Sequence, residues 1–91
     1  MIVAMGNIRS DGLIYQKYGF FNATWDSTDE RYIIALDVAY THTDYVTVVT
    51  PEGNLGTSYG TAAGELAVYL YDSAGNKTPG NFSFMVLDTT P

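Results

Sequence analysis

The chain has 91 residues, no cysteine, and a net charge of −6 from ten acidic and four basic residues. Four scattered basic side chains cannot form a stripe that follows phosphates, so nucleic acid and an anionic membrane surface are disfavoured as partners. No run approaches the eighteen or so apolar residues that would predict membrane insertion. Without cysteine, oligomerisation is the available reinforcement for such a small domain.

Short runs of alternating apolar residues recur along the chain, and no segment keeps helical period for ten residues. This spacing predicts eight strands. They are expected at 2–5, 13–16, 20–25, 31–38, 44–50, 55–60, 65–72 and 81–88. The breaks between them carry turn residues in "SDG" (10–12), "DSTDE" (26–30), "THT" (41–43), "PEGN" (51–54) and "DSAGNKTPG" (72–80). The sequence therefore predicts one all-β domain over 1–91, a small antiparallel β-sandwich or jelly roll.

The longer strands are apolar on both faces, because alternate side chains of a strand point to opposite sides. The predicted core set is Ile34, Leu36, Val38, Leu66, Val68, Leu70, Phe82, Phe84 and Val86. The opposite set is Ile33, Ala35, Ala67, Tyr69, Tyr71, Met85 and Leu87. One chain of this length has room for one core, so the second set must be covered by something else.

A partner protein is the expected cover for the second face. Tyr69, Tyr71, Met85 and Leu87 are the predicted interface residues, since tyrosine suits a contact that is apolar with wet hydroxyl ends. A face of about 800 Å² per partner contributes roughly 20 kcal/mol gross at about 25 cal/mol/Å², before the costs of association.

Five segments carry a family resemblance: "VAMGNI" (3–8), "RYIIAL" (31–36), "YVTVVTP" (45–51), "ELAVYLYDSAGN" (65–76) and "NFSFMVLD" (81–88). Taken in order, they resemble the C-terminal β-domain at the ends of phage tail fibres and related fibrous adhesins. The likeness covers nearly the whole chain. One departure is "DSTDERY" (26–32), where such domains usually show a tight Thr-Gly-x-Tyr turn.

The resemblance implies a β-sandwich head that forms a homotrimer on a three-chain fibre, and is distantly similar to the jelly-roll trimers of the complement C1q and tumour-necrosis-factor class. It implies a role in attachment or trimer registration, at a virion tail-fibre tip or a cell surface. The opening "MIVAMGNIR" lacks the charged and apolar regions of a signal peptide, so no signal peptide is expected.

Catalysis and metal binding have little support in the sequence. His42 stands two residues before Asp44 and could act as a base or a metal ligand, but a solvated loop histidine is the ordinary interpretation. Asp26, Asp29 and Glu30 cluster in one loop without a specific cation-binding spacing. No cysteine or Gly-x-Ser-x-Gly nucleophile is present. We therefore predict no catalytic residues, no metal and no cofactor.

A glycan or protein receptor is the remaining ligand class. Trp25, Tyr40, His42 and Tyr59 are the candidate contacts, although core burial is the ordinary expectation for Trp25. Two other functions compete with the fibre head. The first is a monomeric carbohydrate-binding module from a larger secreted enzyme, and the second is a hydrolase, against which the missing nucleophile argues.

Overall fold

The computed structural model describes residues 1–89 and shows eight strands. They are β1 Ile2–Ile8, β2 Ile14–Tyr18, β3 Phe20–Asp26, β4 Arg31–Leu36, β5 Val46–Pro51, β6 Gly56–Ala62, β7 Glu65–Tyr71 and β8 Phe82–Leu87. The predicted eight-stranded, all-β, antiparallel sandwich is confirmed. Residues 90 and 91, the end of the predicted domain range, lie outside the described residues. Within 1–89 there is no helix of the length and apolarity needed to cross a membrane.

The strands form two four-stranded sheets. Sheet A has the order β2-β1-β8-β5 and sheet B the order β3-β4-β7-β6. In a jelly roll of eight strands, the first strand pairs with the eighth, the second with the seventh, and so on toward the middle of the chain. The chain has the outermost such pair, β1 with β8, but β2 pairs with β1 and β4 pairs with β7. The architecture is thus a sandwich with its own strand order.

Among the strand ends that differ from the expected ones, those of β4 and β1 have local reasons. β4 stops at Leu36 because the Asp37 amide donates to the Gly19 carbonyl at 2.9 Å and the chain turns away. Val38, expected in the core, is consequently 41 % exposed. β1 runs to Ile8, three residues further than predicted, because its far half pairs with both neighbours, β2 and β8.

A glycine corner carries the chain from sheet A to sheet B. Gly19 lies between β2 and β3 with φ +77°, and a Cβ there would stand 2.1 Å from the Val3 carbonyl oxygen. Only glycine fits such a position, since it combines a left-handed backbone with a close approach of another strand. The predicted strands leave a break at 17–19 without a cluster of turn residues, so the change of sheet at Gly19 was not predicted.

The core lies between the sheets and consists largely of the predicted aliphatic and aromatic set. Leu66, Val68, Leu70 and Val86 are fully buried, and so is Ile34. The rings of Phe20 and Phe84 pack edge to face with centroids 5.2 Å apart. Gly6 leaves room for this pair, because a Cβ there would meet Phe20 at 2.7 Å and Phe84 at 2.9 Å.

Two tyrosines anchor irregular segments to the core. The buried Tyr32 donates its hydroxyl to the Ser10 carbonyl at 2.8 Å and accepts the Gly80 amide at 3.1 Å. The hydroxyl of Tyr40 shares a 2.6 Å hydrogen bond with the Thr47 hydroxyl. Burial raises the pKa of both phenols.

Candidate functional site: the two outer faces of the sandwich

Each sheet buries one face against the other sheet and presents an outer face. Residues directly opposite each other on neighbouring antiparallel strands share a side of the sheet, so the strand pairing defines rows across it. The predicted interface residues divide between the two outer faces. Met85 and Leu87 lie on that of sheet A, whereas Tyr69 and Tyr71 lie on that of sheet B. The sequence could not show this, because sheet membership depends on long-range pairing.

Two apolar rows cross the outer face of sheet A. The row that we name the methionine row consists of Tyr18, Met5, Met85 and Val48, in the order β2-β1-β8-β5. The row that we name the leucine row consists of Ile2, Leu87 and Val46. Tyr18 is 55 % exposed and Val46 is 46 % exposed. A solvated sheet face ordinarily alternates to polar residues, so these rows are unusual for a free surface.

A third row on the same face is polar and uncharged. It consists of Gln16, Asn7, Ser83 and Thr50. Together the three rows hold eleven side chains, and none belongs to Asp, Glu, Lys, Arg or His. A groove of about 410 Å³ runs over the methionine and polar rows. The three rows are therefore an uncharged surface on a chain whose net charge is −6, and Lys17 of the edge strand β2 also lines the groove.

The outer face of sheet B is charged at the end that holds Arg31, and the polar groups there have partners in the same chain. The neighbouring row is uncharged and consists of Thr24, Ile33, Ala67 and Gly60. Arg31 pairs with Asp26 at 3.0 Å and with Asp29 at 3.2 Å, and it donates to the Tyr69 hydroxyl at 2.9 Å. The Lys77 ammonium lies 5.3 Å from the Tyr69 ring centroid. The acidic residues Asp26 and Asp29 thus serve as ion-pair partners of Arg31, a role that the sequence pattern did not suggest.

Electrostatics on this face follow from the same contacts. The hydrogen bond from Arg31 holds the pKa of the Asp26 carboxyl below its usual value. Hydrogen bonds to Tyr69 and Asp26 raise the pKa of the Arg31 guanidinium. Tyr71, two residues after Tyr69 on β7, shares a 2.9 Å hydrogen bond between its hydroxyl and that of Ser58. The hydroxyl groups of Tyr69 and Tyr71 thus have hydrogen-bond partners within the chain.

The candidate receptor residues do not form one patch. Tyr40 is fully buried, which corrects its assignment to a surface contact: its hydroxyl hydrogen-bonds to that of Thr47 in β5, and its ring stacks on that of Tyr45 with centroids 5.9 Å apart. Trp25 is half-buried. Its ring packs edge to face against that of Tyr32, near the start of β4, with centroids 4.9 Å apart. Only His42 and Tyr59 remain exposed.

His42 and Asp44 engage different partners. The His42 Nδ1 lies 2.7 Å from the Thr61 hydroxyl, which also accepts the His42 amide. The Asp44 carboxylate accepts the Thr41 hydroxyl at 2.6 Å. Within the described residues, no three His, Cys, Asp or Glu side chains come together as a metal site.

Comparison with known proteins gives no relative to this chain: no family model, curated protein or solved structure matches it. Function must therefore be inferred from the residues and their arrangement. The feature with the clearest chemical character is the uncharged outer face of sheet A.

Proposed function

We propose that the chain is a non-enzymatic structural and attachment domain that forms a homotrimer at the end of a phage tail fibre or a similar fibrous adhesin. The observation that carries the proposal is the pair of apolar rows on the outer face of sheet A. Half-exposed methionine, valine and tyrosine side chains in register across four strands are typical of a surface that another protein covers.

The fold and the terminal segments support the same function. An all-β sandwich agrees with the head domain that the motifs "VAMGNI" and "NFSFMVLD" resemble. Both motifs lie in β1 and β8, the central strands of sheet A, and supply Met5, Met85 and Leu87 to its outer face. The segments behind the resemblance are thus also the segments that build the apolar surface.

The mass of the native particle tests the proposal. Light scattering on a size-exclusion peak, at protein concentrations from micromolar upward, is expected to give three times the chain mass of 9.9 kDa. A mass equal to one chain over the whole range would contradict the proposal.

The groove on sheet A favours a second candidate, a monomeric carbohydrate-binding module. Tyr18 stands beside Gln16 and Asn7, and sugar rings take an apolar ring face together with amide hydrogen bonds. In that case the native chain is a monomer, and a glycan screen returns a ligand whose binding is lost in Tyr18→Ala. Phe21→Ala, at another exposed aromatic residue, is the matched control.

A further inference from the structure

We infer that three copies turn the outer faces of their A sheets toward a common three-fold axis, so that the methionine and leucine rows form the contact between copies and sheet B faces outward. The inference rests on the proposed trimer and names the surface through which it forms.

Charge selects the face that meets other copies. Each copy has a net charge of −6, so copies repel one another, and a contact without charged side chains keeps that repulsion smallest. The three rows of sheet A contain no charged side chain, whereas the outer face of sheet B carries Asp26, Asp29, Arg31 and Lys77 in contacts with one another or with Tyr69. The rows of sheet A are thus the surface through which two acidic copies can meet without bringing charged side chains into the contact.

The width of sheet A suits a three-fold arrangement. Four strands spaced about 4.8 Å apart make a face about 19 Å wide, and three such faces closing a triangle lie about 5.5 Å from its centre. That distance is close to half the roughly 10 Å between packed sheets, which is the depth that side chains fill. Met5 and Met85, on the two central strands, would occupy the axis.

Strand direction decides how the copies meet at the corners. β2 and β5 are the edges of sheet A, and the three antiparallel pairings between them make their directions opposite. A three-fold axis parallel to the strands therefore places β2 of one copy beside β5 of the next in antiparallel orientation. Tyr18 and Val48 belong to one row, so Tyr18 of each copy would stand opposite Val48 of its neighbour.

Cysteine cross-linking tests this corner, because the natural chain has no cysteine to give a background. The double variant Tyr18→Cys/Val48→Cys is expected to give covalent trimers on oxidation, seen on a non-reducing gel. Either single variant is expected to stay uncross-linked, since each cysteine faces the other position in the neighbour. The matched control is Thr24→Cys/Gly60→Cys, which places both cysteines in one row on the edge strands of sheet B.

Each outcome has a distinct meaning. Covalent trimers from the sheet A pair alone support the inference. Cross-linking of the control pair alone overturns it while the trimer stands, and products that stop at dimers overturn the three-fold geometry. A native chain of monomer mass defeats the proposed function itself, before any variant is made.

A charge variant keeps the test independent of disulfide chemistry. Val48 is 45 % exposed, so Val48→Lys is expected to fold with an unchanged circular dichroism spectrum. Its particle mass should fall from three chains to one, because the lysine ammonium would be buried in the apolar corner. A Val48→Lys trimer would overturn the inference.

Discussion

The outer faces of sheets A and B come from the same alternating strand pattern but carry different side chains. On sheet B, Tyr69 and Arg31 satisfy each other, and the acidic loop completes the pairing within one protomer. On sheet A, the methionine row carries no charge, and the Tyr18 hydroxyl is its one polar side-chain group. Apolar character on the second side of a strand therefore predicts an interface only where in-chain polar partners are missing.

Removing an aromatic ring from the core is expected to give the largest loss of stability, with which the variants of the two outer faces are compared. Phe84→Ala should lower the free energy of unfolding by about 3–5 kcal/mol, because it leaves a cavity beside Phe20. The loss should be the same at every protein concentration, since Phe84 faces the interior of one chain. Urea unfolding at two concentrations measures this, and a concentration-dependent loss would place Phe84 at a subunit contact.

Charging the two outer faces tests their difference directly. Leu87→Asp should weaken assembly first and give a smaller particle whose stability depends strongly on concentration, because the carboxylate loses its hydration at the contact. Thr24→Asp, on an exposed position of sheet B, is the matched control and should leave the particle mass unchanged. Equal effects of both variants would remove the distinction between the faces.

Acid should weaken the Arg31 network of sheet B. The pKa of Asp26 is held below its unfolded value of about 3.9, so its contribution to stability is complete above that pH and is lost as the pH falls through the folded pKa. Glu52, whose pKa is lowered by Arg9, should add to the loss in the same direction. In Asp26→Asn, the free energy of unfolding should fall less steeply as the pH is lowered below about 4. Urea unfolding at several pH values measures this. An unchanged slope would contradict a role for this ion pair.

Chelation is expected to have the smallest effect. Asp26 and Asp29 pair with Arg31, which leaves them poorly disposed to bind calcium. EDTA should therefore leave Tm nearly unchanged. A large fall in Tm that calcium restores would show that the loop holds a metal essential to folding.

The sequence was enough to predict where the strands lie and which face of each strand is buried, because strand period and turn residues are local properties. The burial of Leu66, Val68 and Leu70 followed from alternation alone. Tyr40 was misplaced because its burial depends on Thr47 and on the Gly64 carbonyl, partners that no periodic pattern indicates. The separation of Tyr69 from Met85 was equally out of reach, because it follows from which strands share a sheet.

The pairing of β1 with β8 has a consequence for the order of events during synthesis. Met5 is made early and Met85 late, yet they stand opposite each other in the centre of sheet A. Such distant pairing forms slowly, since a long loop must close before any contact rewards it. The surface that we assign to contact between copies therefore does not exist on a nascent chain until β8 has left the ribosome. A chain truncated before β8 would lack Met85 and Leu87 and therefore the centre of that surface.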